Sequence, residues 1–410
     1  MSDNHFFEAL QASQWHIRFP LAVGQLLCAV RDDSTVMDIT YSEGTLCAAL
    51  YFSVRKTEPL CLRGTANPGD IAEIVYRPYR TELYINGVLC DEEWPFSDPL
   101  WHGAALTAQT VTPEVLPMPN TVTPPAVTGT FQNAEGWRPG GGVFVGDCMP
   151  YEDDGRYHVL YLYDRHHHRS KWGLGAHQWD HISTDDFVTW QMHPRAVEID
   201  DPMEGSICTG SHIRVGQTHY LYYTVRTSNG TPAPIMRSVS ADGYHFQKDR
   251  SFGFTLDDSV YTAGSARDPK VVCDTDGIYH MFVTTTDRRI DRGVLVHLTS
   301  PDCEEWQVVG NIAESPDRAE PECPDYFVCG NTYYLIYSLH GRAHYRYSDK
   351  PFDGWITPDD DIIPCSSVPK AAIHDGRIIF TGFSGIDGYA GTMTFMEAVQ
   401  RENGTLEFPV

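Results

Sequence analysis

Three carboxylic acids, Asp147, Asp268 and Glu322, stand at the same point of a repeating pattern in this sequence. About ten residues after each acid comes a segment rich in aromatic side chains: 157–161, 279–282 and 333–337. Equivalent positions of a radial repeat face its axis, so side chains at these positions converge. A single acid near a turn is ordinarily a solvated turn residue, but three acids in phase with a repeat favour a shared site.

Converging carboxylates suit the cleavage of a glycosidic bond. One ionised carboxylate can attack the anomeric carbon while a second, kept protonated, donates its proton to the leaving oxygen. A third can accept hydrogen bonds from the sugar hydroxyls as positive charge develops on the ring. Arg267, beside Asp268, favours the ionised form of that acid. Calcium binding is the alternative chemistry, because clustered oxygen ligands also bind Ca²⁺, and these residues alone do not assign the individual roles.

The elements that position these acids are predicted to be the strands of a β-propeller. Two further aromatic segments, 219–223 and 378–381, bring the number to five, with spacings of 45 to 62 residues. Four-stranded units at such a period are typical of a propeller, so we expect five blades. The innermost strand of each blade lines the central channel, and five short segments open these strands: 146–148, 209–211, 267–269, 321–323 and 369–371.

The residues before the repeat predict a separate domain. Asn86-Gly87, between two short apolar runs, is a strong hairpin signal because both residues tolerate positive φ. Several short strands with turns at this spacing indicate a β-sandwich, which either binds carbohydrate or serves as a packing module. Five prolines between 113 and 125 then indicate an extended connector. The predicted fold is all-β, with a β-sandwich-like domain over 1–110, a Pro-rich linker over 111–130 and a five-bladed β-propeller over 131–410.

Composition excludes several classes of partner. The chain has 410 residues and a formal net charge of -25, which opposes binding to nucleic acid or to an anionic membrane. No segment is long and apolar enough for a transmembrane helix, and the first residues lack the pattern of a signal peptide. Eleven cysteines without CxxC pairs indicate reduced thiols instead of disulfides or a zinc site. We therefore expect a cytoplasmic protein.

Residues 141–410 resemble the catalytic propeller of glycoside hydrolase family 32, which includes invertases, levanases, inulinases and sucrose-phosphate hydrolases. Arg267-Asp268-Pro269 matches the RDP motif of the family, and Glu322-Cys323-Pro324-Asp325 matches its ECPD-type motif. Weaker similarities lie at 179–190, at Gly210-Ser211 and at 388–406, which correspond to the HWGH and DLVHW-type segment, the end of the FSGS motif and the exit of the last blade. These matches follow the order of the family across the whole second domain.

The resemblance implies a retaining double displacement through a covalent fructosyl intermediate. Asp147 would be the nucleophile, Asp268 the transition-state stabiliser and Glu322 the general acid/base, with neither a metal nor an organic cofactor. The residues predicted to contact the sugar are Arg267, Trp172, Trp179, Ser211 and Cys323. Stacking on a sugar ring and packing within a blade are the two alternatives for each tryptophan.

The sequence also departs from the family. Where the first motif usually reads WMNDPNG, residues 144–150 read FVGDCMP and lack the tryptophan and both asparagines. Leu162 stands where a glutamine is common, and Asp180 where a glycine is common. The sandwich-like domain precedes the propeller, whereas family members usually carry one after it. The predicted catalytic acids are therefore retained, while the residues that surround the sugar are altered.

We predict a retaining glycoside hydrolase that acts on a terminal β-fructofuranoside or a related furanoside. The alternatives are an inverting arabinofuranosidase-like hydrolase and a non-catalytic sugar-binding protein. A carboxyl separation of about 5 Å is typical of retaining enzymes and about 6.5 to 9.5 Å of inverting ones. The expected partner is a small carbohydrate, and the sandwich is expected to pack either on its own propeller or on a second subunit of a homo-oligomer.

Overall fold

The computed structural model describes residues 4–53, 55–94, 98–119, 129–140, 142–165, 177–201, 203–227, 231, 234–365 and 367–409. These residues form two compact units. The first comprises the described residues up to 119 with 199–201 and 203–205, and the second comprises those from 129 to 198 and from 206 to 409. Within these ranges the helices are Asn4–Ala9 and the 3-10 helix Ala263–Ser265, so the predicted all-β class is confirmed. Neither helix is long and apolar enough to cross a membrane.

The first unit is a β-sandwich of two five-stranded antiparallel sheets. Its strands are β1 (Trp15–Pro20), β2 (Gly24–Arg31), β3 (Ser34–Ser42), β4 (Thr45–Phe52), β5 (Arg55–Thr65), β6 (Ile71–Arg77), β7 (Arg80–Ile85), β8 (Val88–Glu93), β9 (Ala105–Gln109) and β10 (Glu114–Leu116). The sheet orders are β10-β1-β6-β7-β8 and β5-β4-β3-β2-β9. Apolar residues alternate along β4, where Leu46, Ala48 and Leu50 are buried and Cys47 and Ala49 are partly exposed. This period of two directs one face of the sheet into a core shared by both sheets.

The predicted hairpin is confirmed, since Ile85 of β7 pairs with Val88 of β8. The two turn residues, Asn86 and Gly87, have φ values of 51° and 77°, in the region that asparagine and glycine tolerate. Further on, β10 lies in the stretch predicted as a connector, where it pairs with β1. A Pro-containing segment can form such an edge strand, because an edge strand leaves half of its N–H groups unpaired. The domain limits at 110 and 130 stay predictions.

The second unit contains five antiparallel blades. The first blade contains β11 (Gly129–Gln132), β12 (Val143–Asp153), β13 (Arg156–Arg165), β14 (Gln178–Thr184) and β15 (Thr189–Met192), and the second contains β16 (Glu204–Val215), β17 (Thr218–Thr227), β18 (Ile235–Ser240) and β19 (Gln247–Lys248). The third blade contains β20 (Arg267–Cys273), β21 (Tyr279–Asp287), β22 (Arg292–Ser300) and β23 (Gln307–Glu314), and the fourth contains β24 (Glu322–Cys329), β25 (Thr332–Leu339), β26 (Arg342–Ser348) and β27 (Ile362–Ile363). The fifth blade contains β28 (Lys370–His374), β29 (Arg377–Gly385), β30 (Gly391–Gln400) and β31 (Leu406–Glu407). The predicted five-bladed propeller is therefore confirmed. Val145 of β12 pairs with Gly391 of β30, which joins the first and last blades.

The predicted phase of the repeat is also confirmed. The aromatic segments form the second strand of each blade, namely β13, β17, β21, β25 and β29. The opening segments lie on the first strands, β12, β16, β20, β24 and β28, and the first strands of neighbouring blades lie beside one another, as β20 does beside β24 and β24 beside β28. The residues that open the repeats are thus gathered at the centre of the propeller.

A recurring turn leads into the outer strand of the first three blades. In each, a hydroxyl and an acid two residues later hydrogen-bond to each other: Thr184 with Asp186, Ser240 with Asp242 and Ser300 with Asp302. The carboxylate of Asp186 also accepts the main-chain N–H groups of Val188 and Thr189. Asp favours such turns because its side chain satisfies main-chain donors two and three residues ahead.

Candidate active site

A cavity of about 450 Å³ lies in the second unit. Asp147, Asp268 and Glu322 all contribute to its wall, and so do Arg267 and Cys323. The structure therefore brings the three acids predicted to be catalytic into one concave site with two of the residues predicted to contact the sugar. A cavity of this size is within the range of small-molecule binding sites.

Each of the three acids lies at an irregularity in the strand pairing of its blade. The register shifts between Val145 and Cys148 in β12, between Arg267 and Lys270 in β20, and between Glu322 and Asp325 in β24. The pairing of β28 with β29, in the blade that opens with Lys370, shows no such shift. A β-bulge changes the direction in which side chains point and is common beside active sites. The bulges therefore account for how acids on central strands reach the cavity.

Asp147 is buried, and its carboxylate is contacted on both oxygens. The Tyr389 hydroxyl donates to Oδ1 at 2.8 Å, and the Thr209 hydroxyl donates to Oδ2 at 2.5 Å. The Cys323 thiol lies 3.4 Å from Oδ2. Burial raises the pKa of that thiol well above its ordinary value, and the acids Asp268 and Asp147 add to the shift, so the sulfur keeps its proton and donates. Three donors from three other blades thus orient the Asp147 carboxylate.

Gly146 makes the contact between Tyr389 and Asp147 possible. A Cβ at Gly146 would lie 2.8 Å from the Tyr389 hydroxyl and 3.0 Å from the Cβ of Leu162. The hydroxyl also accepts the main-chain N–H of Asp147 at 3.3 Å. Glycine stands here where the family motif has asparagine, and the space is taken by tyrosine from the last blade. Leu162, where glutamine is common, contributes an apolar side chain to the cavity wall.

Asp268 is also buried and is held by an unusual backbone. Its φ is 57° and that of Cys323 is 52°, in the left-handed region that non-glycine residues rarely adopt. These conformations let the Cys323 N–H donate to Oδ2 of Asp268 at 2.9 Å. Burial raises the pKa of Asp268 above its ordinary value, with Arg267 opposing the shift and Glu322 and Asp147 adding to it. Strained residues of this kind cluster at functional sites.

Arg267 links the acids of the third and fourth blades. Its Nη2 donates to Oε1 of Glu322 at 2.9 Å, its Nη1 donates to Glu320, and its Nε lies 3.6 Å from Oδ2 of Asp268. Burial alone would lower the pKa of Arg267, but the carboxylates of Asp268, Glu320 and Glu322 outweigh it and raise that pKa. Glu322 differs from the other two acids in exposure, because its side chain is 44% exposed and faces the cavity.

Glu320 is held outside the cavity wall as a partner of Arg267. The Thr286 hydroxyl donates to its Oε1 at 2.6 Å. Burial alone would raise the pKa of Glu320, but Arg267 and the neighbouring hydroxyls lower it below its ordinary value. Glu320 therefore remains ionised and fixes one edge of the guanidinium, while the other edge reaches Glu322.

Lys370 connects three blades beneath the cavity. Its buried ammonium donates to the main-chain carbonyls of Gly210 and Pro324, each at 3.1 Å. The next residue, Ala371, donates its N–H to Oδ2 of Asp325 at 2.6 Å. Burial lowers the pKa of Lys370, and the carboxylate of Asp325 opposes that shift. These contacts tie the strands that carry Thr209 and Cys323 to the fifth blade.

The structure places the other predicted contact residues elsewhere. Trp179 is fully buried in β14, where its indole N–H donates to the Cys208 carbonyl at 2.9 Å and its ring packs against Tyr223. Ser211 is buried, and its hydroxyl bridges the second and third blades by donating to the carbonyl of Pro269 and accepting the N–H of Val271. Neither residue is among those lining the cavity. Trp172 lies outside the described residues.

Three residues of the site were not anticipated from the sequence. Thr209 and Tyr389 contact Asp147, and Glu320 contacts Arg267. Thr209 is the first residue of the segment that opens the second blade, so its position in the repeat could have predicted that it lies at the site. Tyr389 lies in the segment similar to the family's last-blade exit, but no local pattern indicates that its hydroxyl reaches the first blade.

One group of possible metal ligands in the described part of this unit lies outside the cavity. Among the described residues, three ligand atoms come within 4.8 Å of one another at His158, His181 and His193. These histidines do not line the cavity.

Comparison with known proteins gives the family of the chain. Residues 149–363 match the model of the glycosyl hydrolases family 32 N-terminal domain. A sucrose-6-phosphate hydrolase of Escherichia coli is 28% identical over 293 residues, covering 61% of this chain and 58% of that protein. The chain thus spans little more than half the length of this relative.

Solved structures show the same fold. Fructan 1-exohydrolase IIa from Cichorium intybus superposes with a TM-score of 0.54 at 17% identity, covering 70% of this chain and 61% of that one. A β-fructofuranosidase of Bombyx mori gives 0.53 at 18% identity, covering 65% and 64% of the two chains. Since the family model matches more than half of the residues, this chain belongs to glycosyl hydrolase family 32.

Proposed function

We propose that this protein is a retaining glycoside hydrolase that cleaves terminal β-fructofuranosides through a covalent glycosyl-enzyme intermediate. The observation that carries the proposal is the meeting of Asp147, Asp268 and Glu322 in one cavity with Arg267 among them. Two carboxyl groups with different surroundings suffice for this chemistry, and a third supports it. The names of the matched relatives, a sucrose-6-phosphate hydrolase and a β-fructofuranosidase, support the choice of substrate class.

Asp147 is the proposed nucleophile because it is the most firmly oriented of the acids. Tyr389, Thr209 and Cys323 fix both of its oxygens. A nucleophile held in one orientation needs no reorganisation before it attacks the anomeric carbon. Attack forms the bond from Asp147 to the sugar, and the leaving oxygen takes a proton from Glu322.

Glu322 is the proposed general acid/base because it is the acid with access to solvent. Its side chain is 44% exposed, whereas that of Asp268 is 6% exposed. In the second step it removes a proton from the water that attacks the sugar, and the bond to Asp147 breaks. Arg267 keeps the Glu322 carboxyl in place through both steps. Asp268, buried beside them, accepts hydrogen bonds from the sugar hydroxyls as charge develops on the ring.

Two further arginines on the cavity wall favour a phosphorylated substrate. Arg226 and Arg342 line the same cavity as the acids. A guanidinium binds phosphate through paired hydrogen bonds. We therefore propose that sucrose phosphorylated on its glucose is cleaved better than sucrose, and that Arg342→Gln lowers this preference without lowering activity on sucrose.

Sugar release from a panel of substrates tests the proposal. The panel contains sucrose, phosphorylated sucrose, inulin and levan oligosaccharides, and arabinofuranosides. Wild-type protein is expected to release fructose, and Asp147→Asn and Glu322→Gln are expected to reduce kcat by roughly a thousandfold or more. Glu305→Gln, an exposed acid in a turn of the third blade, is the matched control and should retain activity. Release of arabinose alone, or sugar binding without turnover, would contradict the proposal.

We also propose that the protein is cytoplasmic. All eleven cysteines are unbridged thiols, which supports a reducing compartment and hence a cytoplasmic location. Labelling of these thiols in intact cells, compared with purified oxidised protein, tests that location. The predicted homo-oligomer stays a prediction that light scattering of the purified chain checks.

A further inference from the structure

A second site in the propeller is formed by three histidines that the proposed hydrolysis does not use. His158 lies on β13, His181 on β14 and His193 directly after β15. His158 pairs with Ser183, so His158 and His181 lie diagonally on one face of the sheet. His193 donates its main-chain N–H to the carbonyl of His181 at 2.9 Å, which brings the third ring to the same face. One ring nitrogen from each lies within 4.8 Å of the other two.

The three rings are oriented by their neighbours. Nδ1 of His158 lies 3.0 Å from Nε2 of His181, and the Tyr151 hydroxyl lies 3.3 Å from the same Nε2. The Ser183 hydroxyl lies 2.7 Å from Nε2 of His193, which leaves the other ring nitrogen of His193 available. Hydroxyl partners of this kind fix the rotation of metal-binding histidines. His158 and His181 are buried, and His193 is partly exposed and offers an entry path.

The hydrogen bonding of the rings is incomplete. Nδ1 of His181 is buried and has no hydrogen-bond partner among the described residues. Imidazole binds metals in its neutral form, through one ring nitrogen of each histidine. Because Nε2 of His181 faces His158 and Nδ1 has no such partner, the described side chains hold this ring by one edge only.

The third blade contains the same pair of histidines without the third. Nδ1 of His280 lies 2.8 Å from Nε2 of His297, and His297 is again diagonal to its partner across the second and third strands. The residue opposite His297 on the outer strand is Gly310. A contact between two histidines therefore occurs in this propeller without a third histidine beside it. The first blade differs from the third blade in having His193 next to that pair.

We propose that His158, His181 and His193 bind a divalent transition metal, with Zn²⁺ as the probe that tests it. Three neutral imidazoles with no carboxylate suit Zn²⁺, Cu²⁺ or Ni²⁺ and not Ca²⁺ or Mg²⁺. Zn–N bonds of about 2.0 to 2.1 Å place tetrahedral nitrogens about 3.3 to 3.4 Å apart. The observed span, from 3.0 Å to at most 4.8 Å, reaches that geometry through side-chain rotation. Because these rings do not line the cavity, the metal stabilises the first blade and takes no part in hydrolysis.

Zinc binding to matched variants tests this proposal. Wild type, His193→Ala and the control His297→Ala are compared by titration calorimetry and by metal analysis after dialysis. The consecutive histidines at 166–168 are another place for Zn²⁺ to bind, so all three proteins are also made with 166–168 replaced by alanine. Wild type and His297→Ala are expected to bind one Zn²⁺ in either background and to melt at higher temperature with it. His193→Ala is expected to bind it at least about tenfold more weakly.

Cobalt provides a readout that a merely structural histidine would not change. Co²⁺ bound by these three imidazoles, two of them buried, has few ligands and absorbs visible light far more strongly than six-coordinate Co²⁺ at a surface. We expect this absorption in wild type and in His297→Ala, and its loss in His193→Ala. The proposal is overturned if wild type binds no stoichiometric Zn²⁺, if replacement of 166–168 abolishes binding, or if His193→Ala and His297→Ala lose it equally.

Discussion

Replacing Asp268 by asparagine is expected to make the protein more stable and less active at once. The carboxyl group is buried, and burial raises its pKa above the ordinary value. An ionised group whose folded pKa is raised opposes folding, since the charge is better accommodated in the unfolded chain. Asparagine has nearly the same shape, carries no charge and keeps an oxygen that can accept the Cys323 N–H. The substitution therefore removes the penalty and keeps the contact.

The size and pH dependence of the stability gain follow from this linkage. The destabilisation by the ionised Asp268 is complete above the folded pKa of this group. It disappears as the pH falls below its unfolded pKa of about 3.9. Each unit between the two values corresponds to about 1.4 kcal/mol, and each 1 kcal/mol shifts Tm by about 2 to 4 °C in a domain of this size. Asp268→Asn should therefore raise Tm at neutral pH, and the difference should shrink towards acid pH.

The loss of activity has a separate origin. Asp268 is proposed to accept hydrogen bonds from sugar hydroxyls, and an amide replaces part of that acceptor by a donor. Hydrogen bonds to a charged group contribute about 1.5 to 3 kcal/mol each, so losing two lowers kcat/KM by roughly 10²- to 10⁴-fold. Opposite changes in stability and activity are expected where a charge is kept buried for function.

Thermal unfolding and steady-state kinetics of one pair of variants check both effects. Asp302→Asn is the control, because Asp302 is exposed in the same blade and the main-chain N–H groups of Glu304 and Glu305 lower its pKa. That substitution should lower Tm and leave kcat/KM unchanged. A lower Tm of Asp268→Asn at neutral pH, or an effect on Tm that is independent of pH, would show that the buried charge does not oppose folding.

Three further substitutions probe the contacts of the site. Tyr389→Phe removes the donor to Oδ1 of Asp147 and should lower kcat/KM about tenfold or more in steady-state assays, with little change in far-UV circular dichroism. Glu320→Gln should lower Tm at neutral pH, because the folded pKa of Glu320 is lowered; this loss should vanish as the pH falls through that pKa, and a pH-independent loss would argue against it. Trp179→Ala should lower the free energy of unfolding by about 3 to 5 kcal/mol in denaturant titrations, because Trp179 is fully buried. An unchanged free energy of unfolding with a raised KM would instead favour stacking of Trp179 on the sugar.

Much of the propeller could be predicted because its repeat is local. Aromatic segments with a period of two, each spaced from an acid by about ten residues, mark the second strand and the opening of three blades, and β13, β21 and β25 form where expected. The convergence of Asp147, Asp268 and Glu322 follows from that phase alone. The hairpin at 86–87 was predictable for the same reason, because two adjacent residues determine its turn.

The roles of single side chains could not be read in this way. Trp179 and Ser211 lie beside family-like motifs, yet one is packed inside a blade and the other bridges two strands. Which face of a strand is buried depends on the neighbouring blade, which a single segment does not reveal. The contact of Tyr389 with Asp147 spans 242 residues of sequence and depends on the absence of a side chain at Gly146. The positive φ of Cys323 has no signal in its residue type either.

Trapping of the glycosyl-enzyme intermediate tests whether Asp147 attacks the sugar. Fructosyl fluoride has a leaving group that needs no proton, so in Glu322→Gln the first step should proceed while the second lacks its base. Mass spectrometry of the quenched protein should then show one added fructosyl group on the peptide that contains Asp147, and none in the double variant with Asp147→Asn. An adduct on another residue, or turnover with inversion at the anomeric carbon and no adduct, would contradict a retaining mechanism with Asp147 as the nucleophile.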